Sequence, residues 1–176
     1  NDAGTNGSRS ICVSDLATTL PFDLYKLLGG NPDKTGTWSG PLSTINGYLG
    51  TVNISSLSLV GSPYTFTYSV SSAQCATDTS IVTITVLPLP DASITTTTLN
   101  VCSGSAGVVT FTGTPNATVT YNIDGGLNKT ILLDSGGSAI LNPIVLSDTT
   151  YNLVSVSSSG TPSCSKLISG SIRLSV

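Results

Sequence analysis

The chain is a duplication. Cys12 and Cys102 stand 90 positions apart, Cys75 and Cys164 stand 89 apart, and Val82, Ile84, Val86 recur as Ile172, Leu174, Val176. The copies meet at Val86-Leu87-Pro88-Leu89-Pro90-Asp91. Proline fixes φ and removes a donor, so this stretch ends a strand. Leu87 and Leu89 each precede a proline and are pushed towards extended geometry. At the polyproline rise the four residues 87–90 span roughly 12 Å. The expectation is two tandem domains, 1–88 and 89–176, arranged end to end across a stiff join. Each is large enough for a small sandwich core and marginal without staples.

Serine and threonine make up roughly a third of the chain, and Val, Ile and Leu supply most of its apolar content. Thr, Val and Ile favour strands, and no long stretch carries helical periodicity. There is no His, no Met and no Glu; all nine acidic residues are Asp. With six basic residues the net charge is −3. A charge-poor, weakly acidic chain has no footprint for nucleic acid or anionic lipid. Its apolar runs are too short to span a membrane as a helix. This composition is common in secreted surface proteins, and the chain reads as a monomeric fragment of one.

Alternation places the strands. Tyr64, Phe66, Tyr68 and Val70 alternate with Thr65, Thr67 and Ser69, the pattern of a half-buried antiparallel strand. Residues 79–86 close the first module, with Val82, Ile84 and Val86 on one face. In the second module, 93–99, 109–111, 119–123, 130–133, 139–146 and 151–156 read as strands before the closing 167–176. Asp124-Gly125-Gly126 signals a hairpin needing positive φ. Pro143 interrupts 139–146 and marks it as an edge. Residues 23–30 are the one helix-like patch, with Asp23 to cap it and Gly29 to end it. Asn1 to Ser10 reads as a frayed lead-in. About seven short strands per module predict an all-β fold of two immunoglobulin-like sandwiches, the first with a short helical insert. Trp38, the only tryptophan, is expected to plug the first core from a central strand. An exposed aromatic for stacking on sugar is the alternative.

The four cysteines divide two and two. Pairing Cys12 with Cys75 and Cys102 with Cys164 is one of three possible connectivities. Each bridge would close a loop of about 63 residues, worth roughly 4 kcal/mol on the chain-entropy model. Structural disulfides imply an oxidising compartment. No CxxC is present, which argues against zinc.

Several runs resemble a known repeat class. Leu27-Leu28-Gly29-Gly30-Asn31-Pro32 leading to Gly36-Thr37-Trp38-Ser39-Gly40-Pro41 resembles a repeat of giant cell-surface proteins of Bacteroidetes. So do Tyr64-Thr65-Phe66-Thr67-Tyr68 and Ile81 to Val86. In the second module the resemblance lies in Val109 to Pro115, Val119-Thr120-Tyr121, Thr149 to Val156 and Cys164-Ser165. Such repeats occur in gliding-motility adhesins and other adhesins exported by the type IX secretion system. The resemblance implies a stalk of Ig-like repeats on the outer surface of a gliding bacterium. It implies as partners the neighbouring repeats of the same chain, and surface polysaccharide through other parts of the protein. Asp148-Thr149-Thr150 resembles the O-glycosylation acceptor of secreted Bacteroidetes proteins, with Thr149 as the acceptor.

Chemistry-bearing motifs are few. Ser163-Cys164-Ser165-Lys166 matches the Ser-x-x-Lys pattern, which needs both side chains on one helical turn. A loop is expected there instead. Asn31-Pro32-Asp33-Lys34-Thr35-Gly36 has oxygen side chains at alternate positions, but a calcium loop wants Glu at its twelfth position, where Leu42 stands. Asp91 at the join is a second place where calcium could bind. Asn53, Asn116 and Asn128 fit the N-glycosylation pattern and read as turn residues. No catalytic residue, metal site or cofactor is assigned. A structural repeat of an extracellular adhesin is the leading reading. A glycan- or surface-binding module, or an accessory domain of a secreted hydrolase, are the alternatives.

Overall fold

A computed structural model describes residues 1–176. The chain is all-β and divides into two compact units, Asn1–Pro88 and Leu89–Val176. No helix is long and apolar enough to cross a membrane.

Unit 1 contains β1 (Gly7–Cys12), β2 (Phe22–Asp23), β3 (Thr37–Ser39), β4 (Thr51–Val52), β5 (Tyr64–Val70) and β6 (Asp78–Leu87). Its main sheet has the order β1-β6-β5-β3. β5 and β6 are antiparallel, Tyr64 opposite Ile84 and Val70 opposite Asp78. β1 lies parallel to β6, Gly7 opposite Val82 and Cys12 opposite Leu87. The opposite layer is thin: β2 and β4 pair over two residues each, and 3-10 turns and coil complete it. Phe66, Val82 and Ile84 from the sheet meet Leu24, Val52 and Ile54 from that layer to form the core.

Three expectations are corrected here. Residues 1–10 are not frayed. β1 covers the free edge of β6, and residues before it are pinned. Ala3 N–H donates to Asp78 Oδ2 at 2.7 Å, and Ser80 Oγ donates to the Gly4 carbonyl at 2.7 Å. The helix-like patch is a single 3-10 turn, Leu24–Leu27, and Asp23 does not cap it. The Asp23 carboxylate instead pairs with Lys26 at 2.9 Å and accepts from Thr51 Oγ1 at 2.6 Å. Trp38 sits on β3, the edge of the sheet, and is half-buried. Its Nε1–H donates to the Tyr48 carbonyl at 2.9 Å, and its ring lies 4.9 Å from that of Tyr68.

Unit 2 contains β7 (Ala92–Thr95), β8 (Ser105–Ala106), β9 (Val109–Gly113), β10 (Thr118–Ile123), β11 (Lys129–Leu132), β12 (Ser138–Leu141), β13 (Ile144–Val145), β14 (Thr149–Ser157), β15 (Ser165–Leu167) and β16 (Ser171–Leu174). One layer runs β11-β10-β14 and continues with β15 and β16, both on β14. The other runs β12-β9-β7. This is the strand order of an immunoglobulin-like sandwich. Phe111 and Val109 of β9 face Val119, Tyr121, Tyr151 and Leu153 across the core. The β10–β11 hairpin turns at Asp124 (φ 51°) and Gly125 (φ 73°), the left-handed pair such a turn requires. Pro143 separates β12 and β13, which pair with different strands, β9 and β8.

Candidate functional site

The groups capable of acid–base, nucleophilic or metal chemistry are dispersed. Ser163 Oγ donates to the Ser158 carbonyl at 2.7 Å, and Lys166 Nζ binds Asp91 at 3.2 Å. The Ser-x-x-Lys pair is therefore split between separate partners. No cluster of three or more His, Cys, Asp or Glu side chains is placed to hold a metal ion.

The 31–36 turn is held by tyrosines. Tyr68 Oη donates to the Asp33 carbonyl at 2.6 Å and accepts the Gly36 N–H at 3.0 Å. Tyr25 Oη donates to the Pro32 carbonyl. Asp33 Oδ2 accepts the Asp2 N–H at 3.0 Å. Burial pushes the Tyr68 hydroxyl above the ordinary phenol value, so it stays protonated and able to donate.

Trp38 to Thr44 line an open groove of about 450 Å³. The indole is half-buried there, and its ring packs at a tilt against Tyr68, 4.9 Å between centroids. Thr149 opens β14, half-buried, and its Oγ1 donates to the Ser147 carbonyl at 2.9 Å. Beside it, the Val176 N–H at 2.8 Å and the Arg173 guanidinium at 2.5 Å hold the Asp148 carboxyl below its ordinary value.

The cysteines are the residues the fold places most distinctively. Each unit has two poles: an upstream one, where its chain begins, and a downstream one, where its last strand ends. Cys12 lies opposite Leu87, at the downstream pole of unit 1. Cys75 sits in the β5–β6 loop beyond Asp78, at the upstream pole, where Asn1 Nδ2 donates to the Ala76 carbonyl at 2.9 Å. Nine residue steps of β6 separate Asp78 from Leu87, roughly 30 Å at the strand rise.

Unit 2 repeats the arrangement. The Val101 N–H donates to the Ser175 carbonyl at 2.8 Å, which sets Cys102 at the downstream pole. Cys164 follows β14 at the opposite end, where the Ser158 N–H donates to its carbonyl at 2.8 Å. Asp91 and its partner Lys166 mark that end as the upstream pole.

The pairings Cys12–Cys75 and Cys102–Cys164 are thus overturned by geometry. A disulfide needs Cα atoms about 4.4–6.8 Å apart, and the length of a sandwich separates these pairs. Cys75 and Cys102 are exposed free thiols. Cys12 and Cys164 are buried, 2% and 1% exposed, and both are disulfide-bonded.

No protein-family model matches the sequence. No curated protein matches it. Among solved structures, a Ca²⁺-stabilised adhesin with which an Antarctic bacterium binds ice is 16% identical, with a TM-score of 0.41, over 100% of this chain and 50% of that one. Extracellular cadherin domains 1–4 of protocadherin gamma B7 are 17% identical, with a TM-score of 0.41, over 98% and 48%. The four N-terminal Ig domains of a Dscam1 isoform are 16% identical, with a TM-score of 0.37, over 98% and 43%. The chain thus spans half or less of each of these structures. At these scores the likeness is too loose to assign this chain a fold or a function.

Proposed function

We propose that the chain is a structural repeat segment, a stalk, of a large bacterial cell-surface adhesin. It stands outside the cell and holds a binding region away from the surface, with neighbouring repeats as its partners. The observation that carries this reading is the recurrence, in two compact β units, of cysteines at the same two poles. Disulfide-bonded Cys12 and Cys164 favour an oxidising, extracellular setting. The parallel pairing of β1 with β6 suits a load-bearing part. Pulling on the ends of unit 1 slides these two strands past each other, so the ladder between them must yield as a set. The resemblance of 27–41 and 149–156 to Bacteroidetes repeats supports, as the finer form of the proposal, a gliding-motility adhesin exported to the outer surface. Thr149 is its proposed O-glycan acceptor.

Antibodies against this segment test the reading. They should label intact cells of the source organism without permeabilisation, and the purified segment should bind no glycan on an array. Labelling that requires permeabilisation would overturn the extracellular role. A second reading, a glycan-binding module, rests on the groove at Trp38 to Thr44. Array binding lost in Trp38→Ala would establish it in place of the first.

A further inference from the structure

Position in the repeat sorts the four cysteines into two classes. Cys12 and Cys102 stand at downstream poles, each beside the end of the last strand of its unit. Cys75 and Cys164 stand at upstream poles, each in the loop that follows β5 or β14. Each class has one bonded member and one free member. Cys12 is bonded and its equivalent Cys102 is free; Cys164 is bonded and its equivalent Cys75 is free. Equivalent positions in two copies of one module therefore differ in redox state.

Within each unit the two classes are too far apart to pair. In a secreted chain a leftover exposed cysteine points either to pairing with another chain or segment or to a reactive free thiol. The bonded cysteines comprise one member of each class, which indicates the complementarity that the free ones require.

We propose that Cys75 and Cys102 are bridge-forming sites, each taking a cysteine of the opposite class from another module of this kind, supplied here by a second copy of the chain. The proposal rests on reading the chain as a repeat segment. A contact between unlike poles is heterologous, so it does not close on itself and extends into an array. The oxidant is a small-molecule disulfide such as oxidised glutathione. The Cys102 thiolate attacks one of its sulfurs, breaking that S–S bond and releasing one glutathione thiolate. The Cys75 thiolate of another copy then attacks the Cys102 sulfur of the mixed disulfide. The Cys75–Cys102 bond forms and the second glutathione leaves as thiolate. Two thiol protons and two electrons leave the protein, and one glutathione disulfide is reduced to two thiols.

The experiment uses the 176-residue chain with Cys75→Ser and Cys102→Ser variants in a glutathione redox buffer. Chain concentration is on the order of millimolar, the effective concentration a short linker would provide. Both substitutions lie in exposed loops, and circular dichroism verifies the fold. Wild type should give a covalent ladder on non-reducing gels, with peptides joining Cys75 of one copy to Cys102 of another. Each single variant should lose the ladder, and an equal mixture of the two should stop at a covalent dimer. Dimers from one variant alone in the same yield as from the mixture would mean indiscriminate oxidation and overturn the proposal. So would a mixture that stays monomeric. Intact-cell labelling is independent of this outcome. Labelled cells with chains that do not cross-link would remove the bridges and leave the stalk.

Discussion

Tyr68 and Gly36 are joined through a hydrogen bond that fixes the long loop of unit 1 to its sheet. The Gly36 N–H donates to Tyr68 Oη at 3.0 Å, while the same hydroxyl donates to the Asp33 carbonyl at 2.6 Å. The ring is fully buried between Trp38 and Tyr25. A Cβ on Gly36 would lie 2.4 Å from the Tyr68 ring, so a glycine is needed for this approach. One hydroxyl serves two backbone groups, of which the Gly36 N–H is buried and the Asp33 carbonyl partly so.

Tyr68→Phe keeps the ring and removes the hydroxyl. It leaves a backbone donor and acceptor unsatisfied, at a cost of about 1–3 kcal/mol. Urea denaturation should show a lower midpoint with an unchanged slope. A midpoint equal to wild type would mean that water replaces the hydroxyl and the loop is not held this way.

Gly7 tests whether the first ten residues belong to the fold. Its Cβ would fall 1.9 Å from the Leu27 carbonyl oxygen, a backbone atom that cannot swing aside. Gly7→Ala should therefore displace β1 from β6 or shift the 3-10 turn, costing roughly 1–3 kcal/mol. Amide exchange of Ile11 and Ser10 should speed up with it. Unchanged exchange would return β1 to the status of a frayed lead-in.

β1 also shows where sequence reasoning stops. Gly7-Ser8-Arg9-Ser10 has no apolar alternation, because an edge strand over a partly polar surface does not need one. β5 was legible because its two faces differ: Phe66, Tyr68 and Val70 are buried and Thr65 is exposed. The Asp124-Gly125 turn was legible because its φ values admit few residues. Tryptophan usually fills cores, which points to a central strand for Trp38, yet an edge position lets its indole reach the Tyr48 carbonyl. The cysteine pairing failed for a related reason. Counting two cysteines per module suggests a staple within it, whereas the parallel register of β1 on β6 sends Cys12 to the pole away from Cys75. Register between strands distant in sequence is set by tertiary pairing, which composition and spacing do not encode.

Acid should loosen both units. Lys26, then Thr51, hold the Asp23 carboxyl below its ordinary value of 3.8. The Val176 N–H, then Arg173, do the same for Asp148. A carboxyl with a lowered folded-state value contributes stability above its unfolded value and loses it as pH falls through the folded one. Thermal stability should therefore fall below about pH 4. Asp148→Asn should flatten part of that fall while lowering stability at neutral pH. An acid limb unchanged in both Asp23→Asn and Asp148→Asn would exclude these two groups as its source.

The two units should differ under force. In unit 1 the parallel ladder of β1 on β6 runs over six residue pairs, from Gly7–Val82 to Cys12–Leu87. A pull on the ends of the unit loads this ladder in shear, and its bonds must break together. In unit 2 the corresponding parallel contact is a single bridge, Asn100 to Ser175, with two backbone hydrogen bonds of 2.8 Å. Forced unfolding follows the barrier to opening rather than the equilibrium stability. Single-molecule pulling on polyproteins of each unit separately should therefore give a higher unfolding force for 1–88 than for 89–176. Arg9→Pro, which removes a donor within β1, should bring the first down towards the second. Equal forces for the two wild-type units would show that the ladder is not what resists the load, and would remove the mechanical support for a stalk.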